Sequence, residues 1–130
     1  MFKATDYLIS IVELPSFLQD AERIFTEDER SRLADFLAAN PHFGDVIPGT
    51  GGIRKVRWGA KGMGKRGGAR VIYYFRDLNM PVFLLAVYTK GEKSNLTAGQ
   101  KEVLKNMVGI LVDQYRPRWE RIVQLSTQIG

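Results

Sequence analysis

The periodic segments of this chain predict an α+β fold: a small, mostly antiparallel sheet with helices packed on one face, in the order β-α-α-β-β-β-α. Three observations carry that expectation. A short β-branched run precedes two helical segments, three strand-like runs joined by glycine-rich or tight turns fill the middle, and an amphipathic helix closes the sequence. At 130 residues, a single domain over 1-130 holds the whole function.

Tyr7 to Leu14 is short, rich in β-branched residues and closed by Pro15, so it reads as a strand. A helix follows from Ser16 to about Ile24. Thr26-Glu-Asp-Glu29 has the capping-box spacing, and the helix it opens aligns Leu33, Phe36 and Leu37 until Asn40-Pro41 ends it. Residues 41 to 52 form a loop ending in Pro48-Gly-Thr-Gly-Gly52; it lacks the spacing of a phosphate-binding P-loop and leads into a strand, so it is read as a turn. Strands are expected over Ile53 to Gly59, Ala69 to Asp77 and Pro81 to Thr89, with a basic, glycine-rich hairpin loop over 60-68 and a tight turn at Leu78-Asn-Met80. Leu96-Thr97-Ala-Gly-Gln100 is a second capping box, and Val103, Leu104, Met107, Val108, Leu111 and Val112 make the apolar stripe of the last helix. Tyr115-Arg-Pro117 is expected to interrupt it, since proline removes a donor and clashes with the preceding turn, leaving a short helix over 118-130.

Composition removes several classes of chemistry. With 45% hydrophobic and 25% charged residues the chain has enough apolar material to fold as a globular protein. There is no cysteine, which excludes disulfides, thiolate catalysis and cysteine-based zinc sites. His42, the only histidine, stands beside Pro41 where a solvated or capping role is the ordinary reading, so no metal site and no cofactor are expected. No apolar run approaches the ~18 residues that span a bilayer, and Asp6 and Glu13 flank the N-terminal apolar stretch where a signal peptide carries basic residues; the expected location is the cytoplasm, without membrane contact.

The charge is uneven. Residues 1-53 carry four basic and nine acidic groups (net −5), 54-93 carry ten and two (net +8), and 94-130 carry five and three (net +2). A basic block in the middle third attracts a polyanion, although a solvated basic face is an equal reading of charge alone. Strand phase sharpens the choice. Lys55 and Arg57 share one face of their strand while Arg54, Val56 and Trp58 share the other; Arg70, Tyr74 and Arg76 oppose Val71, Tyr73 and Phe75; and Ala86, Tyr88 and Lys90 join Arg70 unless a bulge shifts the register. The face opposite the helices is thus expected to be open, basic and aromatic, with Lys61, Lys65 and Arg66 from the loop and Lys93 beyond the last strand. Lysine and arginine neutralise phosphates and tyrosine stacks on unpaired bases, so the set suits single-stranded RNA. It also suits cleavage by 2′-hydroxyl attack, which needs a proton acceptor, charge stabilisation on phosphate and a proton donor; crowding among cations is expected to favour neutral lysine or the phenolate as base. The same face fits non-catalytic RNA-binding modules equally well.

Three blocks in order carry a resemblance: Gly49-Thr-Gly-Gly-Ile-Arg-Lys-Val-Arg57, then Gly64-Lys-Arg-Gly-Gly-Ala-Arg-Val-Ile-Tyr-Tyr74, then Leu84-Leu-Ala-Val-Tyr-Thr-Lys-Gly-Glu-Lys93 before Leu96-Thr97. Over a core of about 8-112, with 113-130 as a C-terminal extension, the chain resembles the HigB branch of the RelE/ParE toxin superfamily. The resemblance implies a RelE-like toxin of a type II toxin-antitoxin system: a metal-independent endoribonuclease (mRNA interferase) that enters the A site of the 70S ribosome, cleaves translated mRNA and so inhibits translation. It further implies a cognate helix-turn-helix antitoxin, with operator DNA engaged only through the antitoxin complex. Lys55 and Arg57 then match the family's basic pair, Arg70 the arginine that stabilises the transition-state phosphate, and Lys90 and Lys93 the basic residues after the last strand. No counterpart of the C-terminal catalytic tyrosine of RelE is found, so Tyr88 or Tyr74 substitutes by phase. The expected catalytic set is Lys55, Arg57, Arg70, Tyr88 and Lys90, and the expected RNA-binding set is Lys61, Lys65, Arg66, Tyr74 and Lys93. The alternatives are a ParE-like gyrase poison, which does not need such a basic cluster, and a non-catalytic RNA- or DNA-binding protein.

Overall fold

The computed structural model describes residues 9-61 and 68-129. Strand β1 (Ile11–Glu13), helices α1 (Pro15–Ile24) and α2 (Glu27–Ala39), strands β2 (Asp45–Val46), β3 (Arg54–Trp58), β4 (Ala69–Tyr74) and β5 (Val82–Thr89), and helix α3 (Ala98–Thr127) follow in that order. They build one five-stranded sheet, β1-β5-β4-β3-β2, in which β1 runs parallel to β5 and the remaining neighbours are antiparallel. This is the expected α+β class. Strand β2 is additional to the sequence reading, because two residues are too few to display an alternation. Tyr7 and Leu8 of the expected first strand lie outside the described residues.

Local chemistry sets the helix starts. Pro15 occupies the first turn of α1, where its missing N–H is not needed. Both capping boxes form as the spacing requires: Thr26 accepts from Glu29 N–H while Glu29 accepts from Thr26 N–H, and Thr97 and Gln100 repeat the exchange at α3. The second carboxylate oxygen of Glu29 accepts from Lys61 N–H at 2.8 Å, and Trp58 Nε1 donates to the Glu29 carbonyl, so the end of β3 is tied to the start of α2.

The sheet is buried on both faces, which corrects the expectation that helices occupy one face only. On the first face Val71 and Tyr73 of β4, with the adjoining Phe75, and Val82, Leu84 and Val87 of β5 pack with Phe17, Ala21 and Ile24 of α1 and Leu33 and Leu37 of α2. On the second, Ile72, Tyr74, Phe83, Leu85 and Tyr88 pack with Leu104 and Val108 of α3. The physical reason is visible in β4 and β5 themselves: nearly every residue is apolar and buried, a pattern that needs cover on both sides. A bulge accommodates this. Ile72 pairs with Ala86 but Tyr73 pairs with Leu84, so Leu85 is the extra residue and the phase of β5 changes there.

Helix α3 runs unbroken through residue 117, contrary to the expected interruption. A proline there removes the donor to the carbonyl of Asp113, but Asp113 is exposed, where solvent can satisfy a carbonyl, and the turns on either side hold. Over 30 residues the helix is about 45 Å long, and residues 120-129 are exposed along its end.

The loop before β3 is held by two buried polar groups. Tyr73 Oη donates to Pro41 O at 2.9 Å and accepts from Gly44 N–H at 2.8 Å, while Thr50 Oγ1 donates to Ile47 O and accepts from Ile53 N–H. A Cβ on Gly44 would stand 2.8 Å from the Tyr73 ring and hydroxyl and 2.9 Å from the Lys55 carbonyl. Gly44→Ala is therefore expected to cost about 1–3 kcal/mol by overpacking, read as a lower urea-unfolding midpoint. Gly91→Ala, whose Cβ meets nothing within 4 Å, serves as the near-neutral control.

Candidate active site

The antiparallel register places three polar side chains in one row across the centre of the sheet. Arg57 of β3 pairs with Arg70 of β4, and Arg70 pairs with Tyr88 of β5. Directly opposed residues have Cβ atoms ~4.5–5.5 Å apart, so the guanidinium groups and the phenol share one neighbourhood. Lys55 stands two residues along β3 on the same face, opposite Ile72 on one side and Asp45 of β2 on the other. These placements agree with the phase reading, because the bulge at Leu85 lies beyond the Ile72–Ala86 pair and leaves Ala86 and Tyr88 on the Arg70 face. Helix α3 covers the adjoining rows, so the ligand-accessible part of this face is a cleft at its edge, not the open sheet expected.

Into that cleft opens a cavity of about 280 Å³ whose lining includes Asp45, Pro48, Lys55, Tyr88, Asn95 and Lys101. Sequence reasoning missed Asp45, Asn95 and Lys101. A signal existed for Lys101: it lies in the first turn of the helix opened by Thr97, and the short connection from β5 brings that turn to the Tyr88 end of the sheet. Asp45 sits on a strand too short to read.

Burial differs sharply within the row. Arg57 is exposed, Arg70 is 8% exposed and Tyr88 is 3% exposed. The Tyr88 hydroxyl has no hydrogen-bond partner among the described residues. Burial pushes its pKa above the ordinary 10.0, with the opposing pull of Arg70 the smaller effect. The expectation that crowding among cations favours the phenolate is thus overturned for Tyr88: at neutral pH it is a neutral phenol, suited to donating a proton. Lys93 places its ammonium 5.3 Å from the centre of the Tyr88 ring. The turn that carries Lys93 is anchored to α1 by Arg23 Nη1, which donates to Glu92 Oε1 at 2.7 Å; that contact raises the arginine pKa and lowers the carboxylate's.

A comparison with known protein families matches residues 47–127 to the family described as "RelE toxin of RelE / RelB toxin-antitoxin system". The chain belongs to the RelE toxin family. It is thus the toxin of a toxin-antitoxin system, and the matched segment contains the whole cross-strand row.

In this RelE-family toxin, the structure brings Lys55, Arg57, Arg70, Tyr88 and Lys93 together. Lys90 follows β5 at the same edge and is exposed, its N–H donating to Gly68 O at 3.4 Å. Two expected RNA-binding residues are elsewhere. Lys61 Nζ donates to the carbonyl of Arg23 at 2.6 Å, on the side of α1 and α2. Tyr74 pairs with Phe83 and is buried in the cluster beneath α3, four residues along β4 from Arg70 or about 13 Å. Lys65 and Arg66 lie outside the described residues. His42 is remote from the row, its ring 5.1 Å from that of Phe75. Among the described residues no group of three or more histidine, cysteine, aspartate or glutamate side chains is placed to hold a metal ion, and no helix is long and apolar enough to cross a membrane.

Tyr88 separates stability from function. Because its hydroxyl is buried without a partner, Tyr88→Phe is expected to leave the fold at least as stable at neutral pH. The raised phenol pKa stabilises the fold fully below about pH 10, and that contribution is lost as pH rises through the higher folded-state value. Thermal unfolding followed from about pH 9 to 11.5 should show a steep alkaline loss of stability in wild type that is shallower in Tyr88→Phe. Tyr73, which burial also raises, contributes in the same direction in both proteins.

Proposed function

We propose that this toxin is a cytoplasmic, ribosome-dependent endoribonuclease of the HigB type that cleaves translated mRNA in the A site of the 70S ribosome. The observation that supports the reading is the cross-strand row Arg57–Arg70–Tyr88 beside Lys55, which sets side chains suited to the three functions that 2′-hydroxyl attack requires next to one another on one face of the sheet. Arg57 and Arg70 hold the scissile phosphate and offset the charge that develops on its oxygens. Lys55, at the edge of the row, accepts the 2′-hydroxyl proton as the 2′-oxygen attacks phosphorus. The phenol of Tyr88 gives its proton to the departing 5′-oxygen as the P–O5′ bond breaks, leaving a 2′,3′-cyclic phosphate and a free 5′-hydroxyl.

The cations of the row supply the positive charge, so no metal ion takes part in these steps. Lys90 and Lys93 extend the basic rim and receive the flanking phosphates. A helix-turn-helix antitoxin neutralises the toxin, and operator DNA is engaged only through that complex.

Arg70→Ala is expected to lower cleavage by about 10²–10³-fold. The check is primer extension on a reporter mRNA in a reconstituted translation reaction. New 5′ ends that need translating ribosomes and disappear in Arg70→Ala support the proposal. Intact mRNA at inhibitory toxin concentrations contradicts it and directs attention to gyrase or to simple binding. Tyr88→Phe should accumulate bound but uncut mRNA, since the proton donor is lost while the phosphate ligands remain.

A further inference from the structure

The phosphate-binding row ends beside a cavity whose chemistry is different from its own. Asp45 brings a carboxylate to that cavity, opposite Lys55 across β2 and β3. A carboxylate among cations repels a phosphate, so its place in a nucleic-acid site is against a group that donates hydrogen bonds. The remaining lining is mixed: Ile47 and Pro48 come from the loop after β2, Leu96 precedes the N-cap of α3 and the Tyr88 ring belongs to the sheet, while Lys55 and Lys101 bring two cationic side chains to its rim. Asn95 adds one amide. The space of about 280 Å³ equals roughly nine water volumes, enough for one planar ring system with residual solvent. A buried hydroxyl without a partner, that of Tyr88, stands at the boundary between this cavity and the row.

We propose that the cavity is a nucleobase subsite and that Asp45 makes it selective for guanine. The inference rests on the reading of the adjacent row as an RNA phosphate site, and it adds the base that the site prefers beside the phosphate. Guanine presents two neighbouring N–H donors on its Watson–Crick edge, N1–H and the exocyclic amine, and a carboxylate accepts both in parallel. Adenine and cytosine each place a ring acceptor beside their single exocyclic amine, which faces the carboxylate unfavourably. Uracil offers one N–H between two carbonyls. The aliphatic and proline surfaces of Ile47, Pro48 and Leu96 cover the faces of the ring. The buried Thr50, through its bonds to Ile47 and Ile53, fixes the loop that supplies two of those contacts.

The test uses full-length toxin with the four ribonucleoside 3′-monophosphates, their binding followed by NMR shifts of the Val46 and Ile47 amides. Guanosine monophosphate should bind on the order of tenfold or more tightly than the other three, the usual discrimination of one bidentate base contact. Asp45→Asn, in which an amide donor replaces one acceptor, should erase the preference while leaving the weaker three unchanged. Lys55→Met should weaken all four alike. Equal affinities in wild type, or a guanine preference that survives Asp45→Asn, overturns the inference. Cleavage specificity on mRNA is scored separately. Selective binding without cleavage sinks the nuclease reading and leaves the base subsite standing, whereas cleavage without Asp45-dependent selection does the reverse.

Discussion

Strand β4 is the constraint on which the structure depends. Each of its six residues is buried, so its two faces must be covered and both edges paired. Pairing with β3 on one side and β5 on the other satisfies the backbone, and the resulting register decides which side chains meet. Arg70 is the polar exception on this strand. Held between Arg57 and Tyr88 at 8% exposure, it is costly to leave in the interior without electrostatic or hydrogen-bonding compensation. The same burial that makes β4 a core strand means that the charge of Arg70 acts through less water than an exposed arginine's, which is what the proposed phosphate contact would use.

Much of this was legible from period and punctuation. The capping boxes at Thr26 and Thr97 located two helix starts to the residue, and period-two alternation placed Lys55, Arg57, Arg70 and Tyr88 on one face before any coordinates. What alternation does not report is what covers that face. Val-Ile-Tyr-Tyr and Phe-Leu-Leu-Ala-Val read as one buried face plus one aromatic binding face, while their continuous apolarity meant burial on both. Tyr74 went wrong for this reason: its ring fills the core under α3. Lys61 went wrong for another, since a loop lysine has no phase and its ammonium found a helix C-terminal carbonyl. Pro117 shows the limit of breaker rules on a helix whose carbonyl at Asp113 is exposed, where the lost donor is cheap.

The site couples two kinds of support. Stiffness comes from the sheet, which sets the row, and from the Tyr73 and Thr50 bonds that shape the loop bearing Ile47 and Pro48. Adjustability comes from the rim, where Lys93 rides on a turn held by the exposed Arg23–Glu92 pair. Exposed pairs contribute little to stability and are screened by salt, so the turn that carries Lys93 is held less firmly than the row in the sheet. Family membership accounts for the toxin role; the particular division between a neutral buried phenol and exposed cations is a property of this fold around Tyr88.

In the proposed reaction Arg70 and Tyr88 act as one unit on one phosphate. A double-mutant cycle on single-turnover mRNA cleavage, with Arg70→Ala, Tyr88→Phe and the double variant, measures that coupling directly. The double variant is expected to be scarcely slower than the worse single variant, because removing either group already disables the same step. Defects that multiply independently, or full cleavage by either single variant, would contradict it.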